Sequence, residues 1–290
     1  LAEKITPMYF HYAGLTNTGM VRDHNEDAHT LPLDIDPQTL TTKGYLYVLA
    51  DGMGGHEKGE VASEVTINTI NAQYYATISE LDPDHPETTI IQALKQAIDQ
   101  ANIDVLAATE GGGTTVVTTV LHDDVMVVMN VGDSRAYLLR DNQMRPITKD
   151  HSLVSRLVEM GRITEEQALT HPRRNVLYQA LGQGEDVDIF IHQAKLQLND
   201  IIILCSDGLW GEVSEPAIRE TLKEADSPMD AAQKLIDLAN DSGGTDNITI
   251  IIIQVLAEPP KDFIPESESL PLSPKPTTLP EGVYYTDENK

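Results

Sequence analysis

Several acidic residues in this sequence stand where an apolar run begins or ends. In YVLADGMGGHEKGE, residues 47–60, the run stops on Asp51, and Gly52, Met53, Gly54, Gly55 and His56 follow. The same grammar recurs in IIILCSDG with Asp207 and in VVMNVGDSR with Asp133. GGTDN sets Asp246 just ahead of another run, and RDHNED sets Glu26 and Asp27 ahead of the first long one. A carboxylate at a strand end is held at small entropic cost. Carboxylates that converge repel one another unless cations sit between them. No Cys or His pair stands at zinc spacing. An all-oxygen donor set therefore points to hard cations, Mg²⁺ or Mn²⁺, rather than zinc. Each fragment alone also reads as a turn, because Asp-Gly is a favoured turn pair. Their joint occurrence beside strongly apolar runs is what the turn reading handles poorly.

The runs that would position these residues are YLYVLAD, GTTVVTTVL, DVMVVMNVGD, SRAYLLR, DIIILCSDG and NITIIIIQVL. Each reads as a strand. Short links such as residues 122–124 and Gly132–Asp133 predict antiparallel neighbours. Helices are expected from about Glu60 to Ser79 and Glu87 to Thr109, with two more after Trp210. The last opens SPMD, with Ser227 as cap, Pro228 in the first turn and Asp230 closing a capping box, and it ends before Gly243–Gly244. Strands apolar at every position need cover on both faces. An α+β fold of four layers, helix–sheet–sheet–helix, with two mostly antiparallel sheets, meets that need. Residues 150–184 form a polar, helix-forming insertion that reads as a flap.

Residues 1–256 read as one domain. From Ala257 the texture changes, and seven of the chain's 16 prolines fall in 257–290, which reads as an extended tail. With 290 residues and 40% hydrophobic content, the chain can build a full core. No run nears the ~20 apolar residues of a membrane span. The chain begins with Leu rather than Met, as a trimmed chain does, and shows no signal-peptide core. The single cysteine, Cys205, excludes an internal disulfide framework, and a cytoplasmic location is expected. A net charge of −26 argues against nucleic acid or an anionic membrane as partner.

Taken together, the stretches RDHNEDAH, LADGMGGHEKGEVAS, GGTTVV, NVGDSRAYLLR, TKDHSLVSRLVEMGRIT, HPRRNVLYQALG, LCSDGLWGEV and GGTDNITIIII resemble the metal-dependent serine/threonine protein phosphatases of type 2C, bacterial type. They follow the family's order over nearly all of residues 10–255, and the tail lies outside the resemblance. The resemblance implies a helix–sheet–sheet–helix sandwich and two or three divalent cations. Asp51 would bridge two metals, with the Gly52 carbonyl on one of them. Asp207 and Asp246 would ligate the first metal, Glu26 and Asp27 the second, and Asp133, with Asp207, a third. Arg22, five residues before Asp27, matches the family's phosphate-binding arginine, and a guanidinium can fork onto two phosphate oxygens. The implied reaction is in-line attack of a metal-bridging hydroxide on the phosphorus of phosphoserine or phosphothreonine. The implied partners are phosphorylated proteins, substrates of a Ser/Thr kinase, and a monomer is expected. Animal members carry His after the Asp-Gly pair as proposed acid. Here Met53 stands there and cannot donate a proton. His56 and His171 are the alternative donors, along with a metal-bound water.

Other chemistries fit less well. Cys205 is followed by SDGLWGE, without the basic loop of a cysteine phosphatase. GDSRA lacks the second Gly of a serine-hydrolase elbow. DHNEDA lacks the Gly and Glu of an EF-hand. GGGTT is no nucleotide loop. Two rivals keep the fold: a catalytically silent phosphoprotein sensor, which degenerate metal positions would signal, and a dedicated regulator docking through the tail.

Overall fold

The computed structural model describes residues 8–260 apart from 34, 55, 56, 79, 80 and 83. In chain order the elements are β1 (Tyr9–Asn17), β2 (Asp27–Thr30), α1 (Pro37–Lys43), β3 (Tyr45–Met53), α2 (Glu57–Thr77), α3 (Pro86–Ala108), β4 (Gly113–Thr114), β5 (Val116–His122), β6 (Val125–Val131), β7 (Arg135–Arg140) and β8 (Gln143–Pro146). There follow α4 (Leu153–Glu159), α5 (Glu165–Leu169), β9 (Phe190–Lys195), β10 (Ile201–Cys205), α6 (Asp207–Trp210), α7 (Glu215–Glu224), α8 (Pro228–Asp241) and β11 (Ile248–Leu256). One sheet runs β1-β11-β10-β7-β8 and the other β2-β3-β5-β6-β9, with β4 pairing β3. All pairings are antiparallel.

Three apolar interfaces hold four layers together. Ile70 and Tyr74 of α2 and Ile90, Leu94 and Ile98 of α3 bury against Leu46, Val48, Val116 and Val120 of the second sheet. Ile218 and Leu222 of α7 and Leu235 and Ile236 of α8 bury against Ile203, Ile250 and Ile252 of the first. Tyr47, Val117, Val128, Ile202, Leu204 and Ile251 fill the space between the sheets. Successive residues of a strand point to opposite faces. Ile250 and Ile252 therefore meet the helices while Ile251 and Ile253 meet the other sheet. Both faces are covered, which is why these strands are apolar throughout. Each such fully buried aliphatic side chain contributes roughly 1.5–3 kcal/mol relative to exposure. Among the described residues no helix is long and apolar enough to cross a membrane.

Three local expectations need correction. β5 and β6 do form a hairpin, but β6 and β7 do not: β6 lies between β5 and β9, and β7 joins the other sheet between β10 and β8. Both edges of β6 are taken, so Gly132, at φ +106°, turns the chain across the sandwich instead. Asp133 thereby lands at the seam between the sheets. The stretch 113–121 is also not one strand, since Thr115 separates β4 from β5. At α8, Ser227 Oγ accepts from the Asp230 N–H at 3.1 Å, as expected of the cap. The Asp230 carboxylate, however, accepts from the Asp226 N–H rather than that of Ser227. Strands β1, β2, β8 and β9 have no counterpart among the expected runs. They are short, or carry His, Gly and polar residues that blur the alternation.

Candidate active site

At one end of the sandwich a cavity of about 580 Å³ is lined by Arg22, Glu26, Asp51, Gly52, Met53, Thr115, Asp133, Asp207 and Asp246. Residues 175, 177–180, 183, 184 and 186 close its far wall. The expected acidic residues thus share one cavity, except Asp27, which stands just behind it. The β2–β3 register sets Asp27 directly opposite Asp51. Asp27 Oδ2 accepts hydrogen bonds from Ser206 Oγ at 2.8 Å and Thr249 Oγ1 at 2.6 Å, both from the other sheet's strand ends. The Thr249 proton is committed there, so Thr16 Oγ1 donates to Thr249 Oγ1 at 2.7 Å and itself accepts from Asn25 Nδ2. A relay of four side chains therefore fixes the Asp27 carboxylate across the seam.

Asn247 ties the loops together. Its Oδ1 accepts from the Glu26 N–H at 2.8 Å, and its Nδ2 donates to the carbonyls of Thr18 and His24 at 2.9 and 3.0 Å. Glu26 Oε1 also pairs with His24 Nε2 at 3.1 Å. Asp51 sits near the end of β3 with its N–H on Thr115 Oγ1 at 3.2 Å and its carbonyl accepting from the Thr115 N–H and Thr114 Oγ1. Gly52 follows where a Cβ would collide with the carbonyl oxygens of Gly59 and Glu26. That crowding explains why glycine follows Asp51 in the strand. Asp133 is held through its carbonyl, which accepts from Trp210 Nε1 at 3.1 Å. Arg135 lies 3.7 Å over the Trp210 ring and forks onto Asp150.

Burial is the first cause of the electrostatic character of this site, and neighbouring carboxylates add to it. Asp27 is pushed up to about 7, Asp133 up to about 8 and Asp207 up to about 6, and Asp51 stands well above the usual carboxylate range. Asp207 Oδ1 is buried with no hydrogen-bond donor on it. A buried acceptor without a donor is costly unless a cation meets it. As the side chains stand, no three Asp, Glu, His or Cys groups among the described residues close on a single point. The carboxylates line a shared space rather than a finished cage, and one of them, Asp246, is engaged by Arg22. The donor set is all oxygen, clustered and under-compensated, so it suits hard divalent cations.

Two expected residues stand apart. His56 lies outside the described residues. His171 lies in the flap, does not line the cavity, and accepts from the Arg173 N–H through Nδ1. Sequence reasoning missed the supporting donors Ser206 and Thr249 and the acceptors Asn247 and Thr115. It also missed the polar flap residues Asn175, Gln179 and Gln183, and Asp186 just beyond the flap, all of which line the cavity.

The family model described as Protein phosphatase 2C matches residues 13–178 and 186–248. The serine/threonine phosphatase stp of Listeria innocua is 36% identical over 245 residues, covering 82% of this chain and 93% of that protein. The crystal structure of the serine/threonine phosphatase Stp1 from Staphylococcus aureus has a TM-score of 0.75 at 33% identity, over 85% of this chain and 95% of that one. The catalytic domain of the phosphatase PstP, solved in complex with two manganese ions, has a TM-score of 0.71 at 32% identity, over 86% of this chain and 99% of that one. The matched spans contain Arg22, both sheets' acidic strand ends and the flap as far as residue 178. On these grounds the chain belongs to the protein phosphatase 2C family.

Proposed function

We propose that this chain is a metal-dependent hydrolase that removes phosphate from phosphoserine and phosphothreonine in proteins. The observation that carries this reading is the single cavity in which six acidic or phosphate-binding side chains from both sheets, Arg22, Glu26, Asp51, Asp133, Asp207 and Asp246, are gathered. Asp51 would serve two cations, with the Gly52 carbonyl on one of them; Asp207 and Asp246 would hold the first, Glu26 and Asp27 the second, and Asp133 with Asp207 a looser third. Two or three Mn²⁺ or Mg²⁺ ions suit these donors, and the PstP catalytic domain is a relative with two manganese ions. When bound, such ions supply a water that is deprotonated near neutral pH and positive charge against phosphate oxygens.

The protein's own part is positioning. Strand ends and the hydroxyl relay behind Asp27 keep the carboxylates from turning away as charge is added or removed. Arg22 offers two N–H groups to the equatorial phosphate oxygens, over which the charge is spread in the transition state. Met53 lines the cavity and offers no proton, so the leaving alkoxide takes its proton from another group. His56 and His171 are the candidates proposed on the protein. The flap wall, with Gln179 and Gln183, faces whatever surrounds the phosphate. The substrates are proteins phosphorylated by a Ser/Thr kinase, met by a monomer in the cytoplasm.

The test is phosphate release from a phosphothreonine peptide with Mn²⁺, with a chelator, and with Mn²⁺ restored. Release that stops on chelation and returns with metal is expected. No release with any divalent cation, from protein shown to be folded, would favour a silent phosphoprotein sensor instead.

A further inference from the structure

Arg22 is preceded by two large apolar residues that face solvent. Met20 is 70% and Val21 64% exposed. Single exposed apolar residues are ordinary. These two differ because the backbone beneath them is fixed. The Met20 N–H donates to the Gly244 carbonyl at 2.8 Å, and the Gly19 N–H to Asn17 Oδ1 at 2.9 Å. Asn247 Nδ2 holds the loop on either side, at Thr18 O and His24 O. Gly19 sits at φ +80°, where a Cβ would strike the Asp246 carbonyl. The loop is therefore nailed to the loop that carries Asp246, and its two side chains are presented from a rigid base. A pre-ordered apolar surface binds at lower entropic cost than a mobile one.

The flap offers apolar surface on the opposite wall. Leu177 and Tyr178 line the cavity with Arg22. Tyr178 is 40% exposed, yet its N–H donates to the His151 carbonyl at 2.9 Å and its ring packs 5.6 Å from the His151 ring. Between the walls lie the carboxylates, which repel an acidic neighbour of the phosphate. Consecutive Cα atoms are about 3.8 Å apart, so a substrate residue one or two places from the phosphoresidue reaches the rim beside Arg22.

We infer that Met20 and Val21, exposed on the pinned loop that leads directly into the cavity-lining Arg22, are specificity-determining residues that take a bulky apolar side chain next to the phosphoserine or phosphothreonine. The inference rests on the phosphatase reading above. It concerns which phosphosites are turned over, not the hydrolytic step. Met suits such a role, because its flexible thioether adapts to branched and aromatic neighbours alike.

The test uses the full chain with Mn²⁺ and three substrates: two phosphothreonine peptides of equal length and charge, with Leu or with Ser on both sides of the phosphothreonine, and p-nitrophenyl phosphate. The wild-type protein is expected to favour the Leu peptide about tenfold in kcat/KM, chiefly through KM, as burial of a few methylenes would give. In the Met20→Ser/Val21→Ser double variant the preference should fall to about twofold or less, with aryl phosphate turnover unchanged. Tyr178→Ser should lower it from the other wall, and Met20→Leu should retain it. Equal kcat/KM for the two peptides in wild type, or a preference that survives the double variant, would overturn the inference while leaving the phosphatase reading intact. A parallel loss on p-nitrophenyl phosphate would make the pair a support for Arg22 and overturn the specificity role. No release from any of the three would overturn the phosphatase reading, and this inference with it.

Discussion

Arg22 Nη2 lies 2.6 Å from Asp246 Oδ2, so the guanidinium proposed to grip phosphate rests on a carboxylate proposed to grip metal. Half of the Arg22 side chain and about a third of that of Asp246 are exposed, with relative accessibilities of 50% and 31%. An ion pair this open is screened and contributes little to stability. Arg22→Ala should therefore leave the melting temperature nearly unchanged. Charge-assisted hydrogen bonds to phosphate are worth ~1.5–3 kcal/mol, so kcat/KM on a phosphopeptide should fall roughly 10- to 150-fold. Mn²⁺ affinity, measured calorimetrically, should hold or rise because Asp246 is freed. Lost Mn²⁺ binding would contradict the division of labour between the two residues.

Asp51 and Asp207 supply a second prediction. Both are pushed upward first by burial and then by the surrounding carboxylates. Asp51→Asn or Asp207→Asn should abolish turnover, by about a thousandfold or more if a metal is lost. In chelator the same variants should unfold at equal or higher urea, because a buried like charge has gone. The gain is on the order of 1 kcal/mol. Retained activity in either variant would remove that residue from the proposed metal set.

Trp210 separates two roles that a deletion would merge. Its Nε1–H donates to the Asp133 carbonyl at 3.1 Å, and its ring carries Arg135 at 3.7 Å. Trp210→Phe keeps a ring under Arg135 and removes the donor. A buried carbonyl left without its donor costs ~1–3 kcal/mol, and the urea midpoint should fall accordingly. Arg135→Lys should cost more than a change of one positive group for another suggests, since lysine cannot reproduce the fork onto Asp150. Unchanged stability in Trp210→Phe would show that the Asp133 turn holds without the indole.

What the sequence made legible was decided by locality. Asp51, Asp207 and Asp246 stand beside uninterrupted apolar runs, and those runs become β3, β10 and β11. Strand period and turn residues are short-range signals, so the layers followed from them. The hydrogen-bond partners that hold the acidic residues are long-range. Ser206 and Thr249 reach Asp27 across 179 and 222 residues, and Asn247 reaches Glu26 across 221. In sequence such residues look like ordinary polar strand ends. The crossing at Gly132 was misread for the same reason. A Gly-Asp link is a good hairpin turn until β9, some sixty residues later, occupies the edge that β7 would need.

His151 connects the flap's root to that crossing, and its titration gives the last prediction. Its backbone N–H donates to the Gly132 carbonyl at 2.8 Å, and its Nδ1 accepts from the Gly132 N–H at 3.3 Å. An accepting Nδ1 requires the neutral ring with its proton on Nε2. Burial lowers the His151 pKa below 6.5. Lys149 pushes the same way, and Asp188, Asp150 and Glu159 oppose it. An unfolded chain takes up a proton at this histidine near pH 6.5 and the folded one resists. The contribution to stability is thus complete above pH 6.5 and lost as pH falls through the lower folded value. At pH 7.5, His151→Gln should cost about 1 kcal/mol, the worth of one buried hydrogen bond. That gap between wild type and variant, read from urea unfolding in chelator, should narrow steadily toward pH 5. The carboxylates of the cavity titrate in both proteins and cancel in the difference. A gap that stays constant with pH would mean that His151 is accessible to protons in the folded state, and that the Gly132 turn is held by its backbone bond alone.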